Sequence, residues 1–242
     1  MAQSPLSALG LEVPVIAAIP AFVPEYAPLV ILAFLGAGFL LVCSIVGGAV
    51  ALAARRLGVA KILGAAAGAI ALAYVSLLLG AALVSRERTL APDEKKYFCE
   101  MDCHLAYSIT EPTSAEGSTR VVTIKTWFDP STIASFRGNA PLTPNPRTVY
   151  LVDEEGRRIE PSESATRTWR ERHGGSTPLE RELRPGESYT TTFVFEIPPR
   201  TRNPRLFLGD TPGPENLLIG HENSPFHRKV YFDLPSSSTA SN

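Results

Sequence analysis

The sequence predicts a two-helix transmembrane hairpin followed by an all-β antiparallel sandwich. Three observations carry this expectation. Tyr26–Ala54 and Ile62–Ser85 are long runs without a charged residue. Charge is segregated: residues 1–85 hold three basic and two acidic residues, and residues 86–242 hold 20 and 22. Of the 21 prolines, 16 lie after residue 85, which disfavours long helices and fits short strands between turns.

The first element is residues 1–26, expected as an extracytoplasmic N-terminal segment. Its apolar stretch Leu11–Pro24 is cut by Pro14, Pro20 and Pro24, too broken to span. It lacks a basic n-region, so no cleavable signal peptide is read, and the first span serves as the insertion signal. A bilayer core of ~30 Å needs about 20 apolar residues. Spans are therefore placed at 29–54 and 62–85, within a membrane unit 27–85. The loop between them, Arg55–Lys61, carries every basic residue of the first 85. Basic short loops stay in the cytoplasm. The N-terminus and the C-terminal domain are then extracytoplasmic, on an inner or plasma membrane (periplasmic in a bacterium). Arg86, Arg88, Lys95 and Lys96 pull weakly the other way. Gly64 and Gly68 form a small-xxx-small pair, and Gly36 and Gly38 thin the first span, which suits a packed hairpin and equally suits the general abundance of small residues in membrane helices. Neither span contains Asp, Glu, Lys or Arg, which argues against an ion pathway.

Beyond a linker at 86–96, the sandwich is placed at 97–234 and a disordered tail at 235–242. Strands are expected at Tyr97–Ile109, Arg120–Phe128, Arg147–Asp153, Arg157–Glu160, Ser188–Ile197, Pro204–Leu208, Leu217–Ile219 and Lys229–Leu234. Val121–Trp127 and Thr192–Ile197 show partial period-2 alternation. Asp153-Glu154-Glu155-Gly156 reads as a hairpin loop, and Arg184-Pro185-Gly186-Glu187 as a turn. This count of strands fits an immunoglobulin-like or cupredoxin-like layout. Asp129–Pro146 and Ser162–Thr177 are read as long connections, which in compact domains are often functional. The second presents Trp169 among Arg167, Arg170 and Arg172, a candidate partner-binding surface. The same Trp169 also suits a plug on the sandwich edge.

The formal net charge of −1 excludes a bulk electrostatic nucleic-acid binder. Three cysteines are too few for a disulfide-built scaffold. Two of them form the sharpest local motif, Cys99-Glu100-Met101-Asp102-Cys103-His104. Three readings stay open. A disulfide is one, but on a straight strand residues four apart stand roughly 13 Å apart, beyond the reach of about 7 Å, so it requires a turn or bulge at Glu100–Asp102. A metal site is another, two thiolates and an imidazole suiting copper or zinc. Haem attachment is disfavoured, the spacing being one residue longer than C-x-x-C-H. His221 and His227 precede the last strand. If first and last strands are neighbours, they join Cys99, Cys103 and His104 as candidate metal ligands. They equally suit turn caps bonded to backbone. No P-loop, H-E-x-x-H or G-x-S-x-G occurs, which argues against a hydrolase.

Two resemblances follow from these residues. In topology the chain resembles subunit II of haem–copper oxidases, which implies an extracytoplasmic electron-accepting domain. Cys99 and Cys103 have that family's cysteine spacing. They lie at the start of the domain, however, His104 follows without a gap, and no Met follows Cys103. The dinuclear copper site is therefore not carried over. Val149–Arg158, Leu183–Glu187 and Phe193–Pro198 resemble the central hairpin and late strands of uncharacterised bacterial membrane-anchored immunoglobulin-like (telokin-like) domains. That resemblance implies a binding or accessory role without catalytic residues. The expectation is a non-enzymatic anchored module for a partner protein or membrane complex. The alternative is an electron-transfer or copper-handling protein.

Overall fold

The structure, a computed structural model, describes residues 27–100, 102–110, 115–116, 118–133, 137–174, 176–199 and 201–234. For Ala27, Cys99, Glu100, Asp102, Cys103, Ala115 and Glu116 it describes the backbone only. The N-terminal segment 1–26 and the tail 235–242 lie outside the described residues.

Two helices come first, α1 (Ala27–Ala53) and α2 (Leu57–Val84), both long and apolar enough to cross a membrane. They pack as a hairpin at Gly47, whose added Cβ would stand only 3.1 Å from Leu63, and not at the expected Gly36, Gly38, Gly64 and Gly68, where an added Cβ would meet nothing within 4 Å. The turn between them is shorter than the expected Arg55–Lys61 loop. Arg55 reverses the chain at φ +59°, and Ala60 N already donates to Arg56 O. Lys61 thus sits inside α2. Charge marks where a helix must leave lipid, not where its backbone bonding begins.

The remaining elements are β1 (Arg88–Leu90), β2 (Lys96–Glu100), β3 (Asp102–Thr110), β4 (Ala115–Glu116), β5 (Thr119–Phe128), β6 (Arg147–Val152), β7 (Arg158–Ile159), α3 (Glu163–His173), β8 (Ser188–Glu196), β9 (Arg205–Asp210) and β10 (Val230–Phe232). One sheet runs β1-β10-β9-β6-β7. The other runs β2-β3-β5, with β4 and β8 each also paired to β5. All described pairings are antiparallel except β1 with β10. The expected all-antiparallel arrangement is therefore mixed, because the two ends of the domain run side by side, Arg88 opposite Val230.

Both sheets feed one core. Leu105, Tyr107, Ile124, Phe128 and Phe195 come from one, and Leu151, Leu206, Leu208 and Phe232 from the other. Along β5, Val122, Ile124, Thr126 and Phe128 are buried, the period of two that a half-covered strand requires.

Three expected elements differ. Tyr97–Ile109 is two antiparallel strands, β2 ending at Glu100 and β3 starting at Asp102. Leu217–Ile219 is no strand: it follows a 3-10 turn at Pro214–Leu217, where Pro212 and Pro214 lack ladder donors. Ser162–Thr177 is not a loop but mostly α3. Ser162 caps it, accepting from Ala165 N, Glu163 lies in the first turn, and Arg170, Arg172 and His173 lie in the last, each end opposed by charge of the favourable sign.

The position of α3 explains its polar sequence. It covers the open edge of β8. Val194 N donates to Thr166 Oγ1 at 3.0 Å, Ser162 N donates to Val194 O at 2.8 Å, and Thr192 N donates to Ser176 Oγ at 2.9 Å. Edge groups that would otherwise invite another strand are thereby paired. Ser162 Oγ also reaches Glu196 at 2.7 Å. Ser162→Ala is expected to cost about 1 kcal/mol, read by urea unfolding, with Ser162→Thr retaining most of it. An unchanged midpoint would remove the cap from this account.

Candidate functional site

Among the described residues, buried charges gather where the two sheets meet at the start of β2. Lys96 begins β2, yet its Nζ crosses to the other sheet. It donates to Leu208 O at 2.5 Å, to Val230 O at 3.3 Å and to Glu222 at 2.8 Å. Lys96 and Glu222 are 7% and 5% exposed. Beside them Arg147, first in β6, pairs with Asp210, last in β9, its partner in the register. The Arg147 guanidinium stands 4.3 Å over the Phe98 ring, and its Nε donates to Tyr107 Oη at 3.4 Å. His221 Nδ1 accepts from Asn223 N at 3.1 Å, which leaves Nε2 to donate toward Asp210, 3.3 Å away. Lys229 Nζ donates to Glu222 O and Asn223 Oδ1. Each of these charges meets an opposite charge or an acceptor. The cluster is a closed clamp that ties both sheets to the segment between β9 and β10.

The cysteine motif occupies a β-bulge. Phe98 pairs with Leu105 and Glu100 with Asp102, and the register shifts between them. Cys99 therefore stands opposite both Cys103 and His104, two residues against one. The reversal that the sequence required for any bridge is present in the backbone. The His104 ring is buried, stacked 5.8 Å from Phe128. Thr132 Oγ1 donates to Asp129 O at 3.1 Å, so it accepts from His104 Nδ1 at 2.6 Å. The proton thus sits on Nδ1 and the lone pair on Nε2, a tautomer suited to ligation.

The two late histidines are not brought to this bulge by any described contact. The last strand pairs with β1 and β9, and the bulge lies in the other sheet. His221 bonds Asp210 and Asn223 within the clamp. His227 Nδ1 lies 2.7 Å from Arg228 O, and burial pushes its pKa below the usual imidazole value. Among the described side chains, no three of His, Cys, Asp and Glu are grouped as metal ligands. The Cys99 and Cys103 side chains are outside that set.

Trp169 lies half-buried on α3 and stacks on His173 at 4.6 Å. Arg170 turns inward, its Nε donating to Ser176 Oγ at 3.2 Å. Arg167 and Arg172 are exposed. A cleft of about 440 Å³ opens between β6 and β8, lined by Arg147, Glu160, Arg170, Leu179 and Phe193 among others.

Asp129 links the bulge to the turn after β5. Its carboxylate accepts from Tyr97 Oη at 2.7 Å and from Ser131 N and Oγ at 2.9 and 2.6 Å. For Asp129 burial pushes the pKa up, but the bonds from Ser131 and Tyr97 and the Lys95 charge hold it below the ordinary value. For Asp210 burial is likewise outweighed, by the His221 bond and the Arg147 and Lys96 charges. Both contributions are complete above the unfolded pKa of ~4 and are lost as pH falls through the folded values. Tyr97 behaves oppositely: burial, then Asp129, raises its phenol to about 12. That contribution is complete below pH ~10 and lost as pH rises through the folded value. The urea midpoint should therefore fall at both extremes, with Tyr97→Phe shrinking the alkaline limb. A midpoint unchanged down to pH ~3 would contradict the two carboxylate assignments.

No family model matches the chain, and no curated protein matches it significantly. Among solved structures, the secreted protein MPT63 from Mycobacterium tuberculosis is similar at 9% identity and TM-score 0.37, over 62% of this chain and 97% of that one. A conserved hypothetical protein from Bacillus anthracis is similar at 14% identity and TM-score 0.32, over 49% and 87%. At these values neither likeness supports a functional statement.

Lys96, Arg147, Asp210 and Glu222 were not readable as a site from sequence. They are far apart along the chain, and none belongs to a motif. The only local signal was His221 within Gly220-His221-Glu222-Asn223.

Proposed function

We propose that this chain is a non-enzymatic, membrane-anchored module with an immunoglobulin-like sandwich held on the extracytoplasmic side. It binds or supports a partner protein within a membrane complex. The observation that supports this reading is the solvent face of α3. A helix added to the sheet edge carries a half-buried Trp169 stacked on His173, with exposed Arg172 about 60° around the helix from it and exposed Arg167 on the opposite flank, while Arg170 anchors it. Aromatic and arginine side chains on a fixed element are the usual anchors of protein recognition. The test is purification in mild detergent of the wild type and of Trp169→Ala with Arg167→Glu and Arg172→Glu. A partner retained by the first and lost by the second supports the reading. An identical set of bound proteins from both, with the fold intact by circular dichroism, overturns it.

A second reading has its own support. The bulge opposes Cys99 to Cys103 and His104, and the Thr132 bond sets the ligating tautomer of the imidazole. Under this reading the segment handles copper or passes electrons. Elemental analysis of full-length protein purified without added metal tests it. Stoichiometric copper, lost in Cys99→Ser, supports it. Absence of metal with the two thiols oxidised to a disulfide leaves a covalent clip closing the hairpin, and the first reading stands.

A further inference from the structure

We propose that the segment between β9 and β10 dips into the lipid leaflet on the domain's own side, with Phe226 and Leu217 as its membrane anchors. The proposal rests on reading α1 and α2 as membrane spans. Tyr74, Leu78, Ala82 and Ser85 recur every three or four residues and so form one stripe on α2. The two ends of the stripe bond this segment: Tyr74 Oη donates to Leu217 O at 2.7 Å, and Arg228 N donates to Ser85 Oγ at 2.8 Å. Between them Leu78 and Ala82 are buried. From Tyr74 to Ser85 α2 rises ~16 Å. Tyr74 is the end of the stripe nearer the middle of α2, and there its hydroxyl and the Leu217 carbonyl satisfy each other, as polar groups withdrawn from water must.

The second observation concerns exposed apolar side chains. Among the described residues, every large apolar side chain counted as exposed belongs to α1 or α2, except Leu217 and Phe226 at 49% and 76%. Both exceptions fall in the segment that touches α2. Phe226 moreover takes φ +66°, a conformation strained for an aromatic residue. Nothing in the core holds the ring, and a soluble surface gives no reason to present it. A leaflet does, since aromatic rings settle at the boundary between headgroups and acyl chains. Exposed Arg86 and Arg228 stand at the same end of α2, placed to meet lipid phosphates.

The experiment uses the full chain in phosphatidylcholine vesicles with or without brominated acyl chains. Trp127 and Trp169 are replaced by Phe, and a single reporter is added by Phe226→Trp. A parallel protein carries Leu77→Trp, an exposed position on α2. The expected result is loss of about half or more of the emission from both reporters in brominated vesicles, with a blue-shifted spectrum. Quenching at position 77 but not at 226, with free access of aqueous acrylamide to 226, overturns the proposal. So does protection of 226 from both quenchers, which would place a protein surface over it. If position 77 itself is not quenched, the span reading fails, and the proposal falls with it.

Discussion

Lys96→Met should destabilise the two-sheet region by about 3–5 kcal/mol, among the largest single effects available outside the apolar core. The cause is less the lost attraction than what remains. Glu222, 5% exposed, would be left charged without its Lys96 partner, and the carbonyls of Leu208 and Val230 would lose a shared donor. Replacing both partners, Lys96→Met with Glu222→Leu, should recover much of the loss, because no charge then stays buried. The measurement is urea unfolding of the full chain in detergent, followed by tryptophan fluorescence. Both tryptophans, Trp127 and Trp169, lie after the helices, so the signal reports the two-sheet region. A single variant costing less than about 1 kcal/mol would mean that water reaches Glu222 and that the clamp is not dry.

That clamp also shows where sequence reading stops. The helices were legible because long uncharged apolar runs show directly in composition, and strands β5 and β8 because partial alternation records which side faces the core. The pairing of β2 with β3 was not, because Tyr97–Ile109 has apolar residues on both arms and no Gly or Pro between them. Helix α3 was missed for a related reason. Ser162-Glu163-Ser164-Ala165 carries capping information, but the helix buries little more than Thr166, so it lacks the apolar stripe that betrays most helices. Its partner is the polar edge of β8, a tertiary fact. The candidate ligands Cys99, Cys103 and His104 were visible as a motif. Their opposition across a bulge depends on a register that no local signal carries.

Phe128→Ala provides the second large effect and separates packing from positioning at the bulge. Phe128 is fully buried at the end of β5. Its backbone is tied to the turn before β8 by Gly186 N and Glu187 O, so the backbone cannot readily collapse into the space. Removing the ring should therefore cost about 3–5 kcal/mol. His104 loses the aromatic surface against which it stacks. Its proton should nevertheless stay on Nδ1. Thr132 is held by Asp129 O, and Asp129 is fixed in turn by Ser131 and Tyr97, a chain of bonds that does not pass through the Phe128 side chain. Long-range proton–nitrogen correlation spectra of the His104 imidazole distinguish the two roles. The tautomer should persist in Phe128→Ala and become mixed in Thr132→Val, which removes the acceptor while keeping the volume. Should Phe128→Ala alone scramble the tautomer, the stack would be what orients His104. The Thr132 bond would then lose its place in the metal reading, and the bulge would be better understood as a hairpin tip closed by its own cysteines.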